Sequence, residues 1–179
     1  AFAAMLSLGF QSANAQSLSP TTKWHWSKGK IVIETPQRPE GQKDVLGLAL
    51  PKKKVVRIGL VGLGMRGPGA VENFSLIPGV QVVALCDYEE KRAVKQNERL
   101  RKNGLAPAAV YYGEKGYEAL CKRPDIDLVY IATDWEHHAI VAKCALENGK
   151  NVADEVPSAM NLQECWDLIN LAEQKQLNC

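Results

Sequence analysis

The residues with the most chemical content are three glycines at fixed spacing. Gly62-Leu63-Gly64-Met65-Arg66-Gly67 reads G-x-G-x-x-G, between an apolar run at 55–61 and a helix-length stretch reaching about residue 77. In that setting each glycine has its own task. The first permits a tight turn, the second lets a pyrophosphate approach the backbone, and the third lets the helix pack on the strand. The helix N-terminus adds unpaired N–H groups and partial positive charge for phosphate oxygens. Asp87 closes the next apolar run, 20 residues beyond Gly67, where a carboxylate would accept both hydroxyls of an adenine ribose. It could also cap the helix that follows. A carboxylate at this place repels a 2′-phosphate, so the pattern points to a dinucleotide and favours NAD over NADP. Lys91 and Arg92 moderate that preference, since either could reach a phosphate.

Two further clusters follow later apolar runs. After 128–132 comes Thr133-Asp134-Trp135-Glu136-His137-His138. Trp135 could stack on a flat ring, and either histidine could hydrogen-bond a ribose or a nicotinamide. The plainer alternative is a helix start, capped by Thr133 or Asp134, with Trp135 packed and both histidines exposed. Glu155-Val156-Pro157 closes the run at 151–156, with Pro157 holding Val156 extended. Glu155 is either a strand-end carboxylate or a contact at the nicotinamide end of the site.

These residues need a scaffold that brings the carboxyl ends of several strands together. From residue 55 the chain supplies one. Apolar runs at 55–61, 80–86, 110–112, 128–132 and 151–156 alternate with helical stretches at 89–102, 115–121, 136–148 and 161–174. Gly149 is placed as a helix stop, and Asn161 with Glu164 has capping-box spacing. This alternation predicts an α/β fold, a doubly wound parallel sheet forming a Rossmann dinucleotide-binding domain over 55–179. Residues 16–54 are polar and broken by Pro20, Pro36, Pro39, Gly41 and Pro51, which reads as an arm or linker with one short strand at 30–34. Trp24, His25 and Trp26 in that arm are surface anchors with no chemistry assigned.

Composition narrows the function classes. The 179 residues are 46% hydrophobic and 23% charged, with formal net charge +2, which excludes collagen-like, disordered and membrane-embedded classes. Lys52-Lys53-Lys54 with Arg57 is the nearest thing to a basic patch and reads as a solvated linker, so no nucleic-acid partner is expected. Residues 1–10 are uncharged and apolar but too short for a membrane span. With Ala13-Asn14-Ala15 they read as a partial signal peptide over 1–15, and Ala1 in place of Met puts the expected start upstream. The expected location is therefore exported, periplasmic or secreted. Five widely spaced cysteines without a C-x-x-C pair indicate neither a metal site nor a disulfide framework; most are expected in the core.

Taken together these motifs resemble the Gfo/Idh/MocA family of sugar-handling, nicotinamide-dependent proteins. That family shows T-P-x-x-x-H and E-K-P segments where this chain has Asp134 in place of Pro and Val156 in place of Lys. Gly62 to Gly67 with its Met-Arg pair, Trp135-x-x-His138, the Glu155 to Ala159 stretch and Arg38-Pro39-Glu40-Gly41 are closely similar to family 109 of the glycoside hydrolases. The resemblance covers about residues 28–179. It implies an exo-acting N-acetylgalactosaminidase that keeps NAD bound and acts on terminal N-acetylgalactosamine of a glycoconjugate. Hydride leaves the sugar C3, elimination expels the aglycone, water adds, and the hydride returns. By matching positions, Met65, Arg66, Asp87, Trp135, Glu136, His137, His138, Glu155 and Val156 would contact NAD, beside Gly62 and Gly64 of the turn. The family's catalytic residues belong to a second α/β domain that cannot be located in this chain. The resemblance also suggests twin-arginine export of folded protein, which would carry NAD outward and spare the thiols. The alternative is a sugar dehydrogenase of the broader family, against which Val156 argues; a further one is a non-catalytic NAD-binding module. A homo-oligomer is left open.

Overall fold

A computed structural model describes residues 23–34 and 38–179; the stretch 1–15 that reads as a partial signal peptide lies outside them. The chain opens with an antiparallel hairpin of β1 (Lys23–Ser27) and β2 (Lys30–Glu34). The short strand expected at 30–34 thus gains a partner. Trp24 faces Ile33 across it and Trp26 faces Ile31, all four exposed.

The main sheet contains β3 (Val56–Val61), β4 (Val80–Asp87), β5 (Ala109–Tyr112), β6 (Leu128–Ile131) and β7 (Asn151–Asp154). All four pairings are parallel, in the order β5-β4-β3-β6-β7. Strands covered on both faces read as continuous apolar runs rather than alternating ones, which is why they were visible in the sequence. Helices α1 (Gly67–Ser75) and α2 (Glu90–Lys102) cover one face, where Ile58, Leu60, Val71, Leu85 and Leu100 form a core. Helices α3 (Gly116–Cys121), α4 (Trp135–Glu147) and α5 (Leu162–Lys175) cover the other, over Val61, Leu120, Ile131, Val141 and Leu146. The chain winds from β3 outward to β5, then returns past β3 to β6. The strand order therefore reverses beside β3, and the crevice at the carboxyl ends of β3 and β6 is the place where such sheets take ligands. Gly59 belongs to the β3 face under α3. A Cβ there would lie 2.8 Å from Leu120 Cδ2 and 2.9 Å from Ile126 Cδ1.

Helix ends follow local chemistry. Asp134 caps α4 by accepting the His137 N–H at 3.2 Å. Gly149, at φ +74°, ends the same helix as expected. Its N–H reaches Leu146 O, and the Lys150 N–H reaches Ala145 O, the two bonds of a Schellman turn. Asn161 caps α5 through the Glu164 N–H. Glu164 reaches back to the N–H of Met160 rather than to that of Asn161, at 2.7 Å, so the capping box closes one residue early. No helix of the described residues is long and apolar enough to cross a membrane.

Three of the five cysteines lie in or against the core, as expected. Cys86 and Cys121 are buried, Cys144 is partly buried, and Cys165 and Cys179 are exposed. The latter two lie on surfaces that the sequence pattern does not mark as open.

The arm is anchored. Arg38 donates through Nε and Nη2 to the two oxygens of Glu173 on α5, both at 2.8 Å, and Gln42 adds a bond of 2.7 Å. The Arg38 guanidinium, then the Gln42 amide, hold the Glu173 carboxyl down at about 2, against an ordinary 4.5. The folded value lies below the unfolded one, so this tie stabilises above about pH 4.5 and fades as pH falls toward about 2. Arg38→Ala should lower the unfolding temperature at neutral pH and flatten its decline across that acid window. Thermal unfolding of both proteins against pH measures it; parallel curves would refute the tie.

Candidate cofactor-binding site

The glycine turn separates two kinds of glycine. Gly62 sits at φ +90°, and a Cβ on it would lie 2.4 Å from the Ala132 carbonyl; one on Gly67 would lie 2.1 Å from Gly62 O. The protein itself requires both. Gly64 is different, because its nearest neighbour would be Arg92 Nη1 at 3.6 Å. Nothing among the described residues demands glycine there, so the space over Gly64 is a cradle that a Cβ would partly fill. α1 begins beside it with proline in the first turn, no side-chain cap and no acidic residue. Among the described residues the Gly64, Met65 and Arg66 amides have no hydrogen-bond acceptor. Such a helix start suits an anion.

Asp87 closes β4 and is buried. Its Oδ2 accepts the Leu63 N–H at 2.6 Å, and Oδ1 accepts the Glu89 N–H at 2.9 Å. The cap position of α2 belongs to Glu89, so Asp87 does not cap that helix; it ties the helix start to the glycine turn. A carboxylate has about four acceptor sites, and two backbone bonds leave room for ribose hydroxyls. Arg92 stands over the carboxylate at 3.5 Å, held on its other side by Glu89 at 2.7 Å.

These groups open onto one cavity of about 880 Å³. Gly62, Gly64, Met65, Arg66, Asp87, Trp135, His137, His138, Glu155 and Val156 all line it. Glu136 does not. The helical period turns Glu136 outward with Ile140, while Trp135, His138 and Val141 share the inner face. His138 is buried rather than exposed. Its Nδ1 lies 2.8 Å from Pro157 O and its Nε2 3.2 Å from Thr133 O, so the ring sits between the loops after β6 and β7, and each neutral tautomer donates to one of the two carbonyls. Its neighbour His137 is open, with Nδ1 2.7 Å from Asp134 Oδ1; the His137 ring holds the Asp134 carboxyl below its ordinary value.

Glu155 and Val156 lie just past the end of β7, shorter than the run at 151–156 suggested. The Val156–Pro157 bond is cis. Tyr130 Oη donates to Glu155 Oε1 at 2.6 Å. Burial and then this bond push the Tyr130 hydroxyl up to about 12, so it stays a donor at neutral pH. Val156 is 81% exposed and carries no polar atom into the cavity.

Wall residues that the sequence motifs do not pick out include Tyr88, Gly113, Glu114 and Tyr117. The last three follow β5, whose carboxyl end obeys the same rule as the others but was weak as a strand in the sequence.

With this geometry in place, the description "Oxidoreductase family, NAD-binding Rossmann fold" of Gfo/Idh/MocA matches residues 56–179. The chain belongs to the Gfo/Idh/MocA family. Among its relatives, Glycosyl hydrolase family 109 protein 5 of Phocaeicola vulgatus is 68% identical over 169 residues, covering 94% of this chain and 32% of that protein. Glycosyl hydrolase family 109 protein 1 of Bacteroides thetaiotaomicron is 54% identical, with 83% and 32% covered. The chain thus spans about a third of the length of these relatives. Among solved structures, myo-inositol dehydrogenase from Lactobacillus casei, in complex with NAD(H) and myo-inositol, is 26% identical with TM-score 0.57, covering 65% of this chain and 33% of that one. Biliverdin reductase from Synechocystis, in complex with biliverdin and NADP+, is 30% identical with TM-score 0.59, covering 69% and 36%.

NAD is the cofactor of this Gfo/Idh/MocA domain, and the residues present fit it. The space over Gly64 and the free amides suit a pyrophosphate, and Asp87 suits ribose hydroxyls. The two glycine classes give a direct test. Gly64→Ala should leave unfolding stability within roughly 0.5 kcal/mol while weakening NAD at least tenfold, about 1.4 kcal/mol. Gly67→Ala should lose stability outright, because its Cβ would strike backbone. Denaturant melts and NAD titration check both; equal stability loss in the two variants would contradict the distinction.

Proposed function

We propose that the protein is an exported NAD-dependent glycosidase that removes terminal N-acetylgalactosamine, and that this chain supplies its NAD-holding portion. Transient oxidation at the sugar C3, elimination of the aglycone and water addition would complete a hydrolysis with no net redox change. The observation that carries this reading is Val156. It lies on the cavity wall beside Glu155, where dehydrogenases of the family place a lysine that assists proton transfer at the oxidised hydroxyl. A valine can neither accept nor donate that proton. The similarity to proteins named glycosyl hydrolase family 109, one of them 68% identical, supports the same choice.

The chemistry NAD supplies when bound is reversible hydride acceptance. The chain's own residues hold and shield. Asp87 orients a ribose and discriminates against a 2′-phosphate, while the Gly64 to Arg66 backbone receives the diphosphate. Tyr130 fixes one oxygen of Glu155, leaving the other for a polar group at the nicotinamide end. Trp135 and Val156 cover apolar surface and keep water from it. Proton transfer at the sugar would fall to residues in the part of the relatives that this chain does not span. A sugar oxidoreductase is the second reading, favoured by the dehydrogenase and reductase structures that share this fold.

The full-length protein, given a nitrophenyl N-acetylgalactosaminide with and without added NAD, separates the two. Nitrophenol release with no net NADH is expected. NADH accumulating in step with oxidised free sugar would overturn the glycosidase reading.

A further inference from the structure

The fold alone does not decide which dinucleotide the cavity takes. Of the two solved structures similar to this chain, one holds NAD(H) and the other NADP+. The dinucleotides differ by one phosphate on the adenine ribose, so the residues around the ribose carboxylate must make the choice. Here that carboxylate is Asp87, and two cations follow it closely, Lys91 and Arg92 in the first turn of α2. Arg92 lines the cavity, with Nη1 3.5 Å from Asp87 Oδ1 and 3.6 Å from the place a Cβ on Gly64 would take. Its guanidinium thus overhangs both the ribose carboxylate and the glycine turn. An arginine near the ribose is the usual means of accepting a 2′-phosphate.

This arginine is already engaged. Arg92 Nη2 lies 2.7 Å from Glu89 Oε1, and Lys91 Nζ lies 2.5 Å from Glu89 Oε2. One carboxylate therefore uses both of its oxygens on the two cations. The bond from Lys91, and then the charge of Arg92, hold the Glu89 carboxyl below its ordinary value against the effect of burial. Among the described residues that carboxylate serves no other partner. It does not cap α2, and it is the Glu89 backbone N–H that Asp87 receives.

We propose that Glu89 is a positioning residue that sets cofactor choice: by holding Arg92 and Lys91 it withholds both cations from a 2′-phosphate, so the site takes NAD and refuses NADP.

Glu89 acts twice. It occupies the donors that a phosphate needs, and it adds a second negative charge beside Asp87. An exposed ion pair is by itself worth little, so the repulsion matters as much as the hold. A 2′-phosphate brings nearly two negative charges and finds two carboxylates whose neighbouring cations are committed. Without the Glu89 carboxylate, Arg92 can turn its planar fork to the phosphate in paired bonds. At 45% exposure the Arg92 side chain can swing without disturbing the core. NAD lacks the phosphate, so its ribose meets the same Asp87 whether Glu89 is charged or not. The inference rests on Asp87 holding the ribose.

The test uses the full-length protein freed of bound nucleotide, with dissociation constants for NAD and NADP measured by calorimetry. Glu89→Gln should tighten NADP by about tenfold or more and leave NAD within about threefold. The gain should shrink as salt rises. Adding Lys91→Ala and Arg92→Ala to Glu89→Gln should abolish it, whereas a merely structural role for Glu89 would weaken both nucleotides alike. If Glu89→Gln does not fold, Glu89→Ala, which keeps the backbone N–H, serves with the same expectations. NADP left as weak in the Glu89 variant, or still tightened after both cations are removed, would overturn the proposal while leaving the ribose assignment standing. Equal affinity of the unaltered protein for NAD and NADP would overturn the ribose assignment of Asp87 and the proposal together.

Discussion

The cavity depends on one buried carboxylate. A charge taken out of water costs several kcal/mol unless hydrogen bonds replace its hydration. Asp87 recovers that cost from the Leu63 and Glu89 amides, at 2.6 and 2.9 Å. Both bonds also shape the site. The first ties the glycine turn after β3 to the end of β4, and the second sets where α2 begins. Gly62 and Gly67 complete the constraint from below, since neither tolerates a Cβ against the backbone beside it. A turn held at both ends cannot drift, so the Gly64 to Arg66 amides keep one position from which to meet a diphosphate.

The far side of the cavity is organised around a buried imidazole. His138 lies between the carbonyls of Thr133 and Pro157, in the loops after β6 and β7. Tyr130 donates to Glu155. Asp87, Glu89 and Arg92 gather at one end of the cavity, while Trp135, Val156 and the Glu155 carboxylate line the other. That division favours a ligand with a polar, hydroxyl-rich end and a flat ring.

Much of this was legible in the sequence, for identifiable reasons. Strands of a covered parallel sheet are apolar throughout, so 55–61, 80–86 and 128–132 announced themselves. The requirement for glycine at 62 and 67 is local and steric, so spacing reveals it. What stayed hidden depends on contacts between distant residues. Nothing near Arg38 shows that its partner is Glu173 on α5, and nothing near His138 shows that Pro157 receives its ring. Glu136 was grouped with its neighbours because a motif read as a block ignores helical phase; counting 3.6 residues per turn from Trp135 would have separated it. Glu114 and Tyr117 were overlooked because β5, Ala-Val-Tyr-Tyr, lacks the aliphatic run that marks β6, which is equally short.

The central claim is that the turn pinned by Asp87 receives the diphosphate of NAD. Hydrogen exchange at single amides, with and without NAD, tests it most directly. The Leu63 amide, already bonded to Asp87, should exchange slowly in both states. Gly64, Met65 and Arg66 should exchange rapidly alone and become protected when NAD is added. Saturating NAD that left those three amides unprotected, while protecting others elsewhere, would contradict the account.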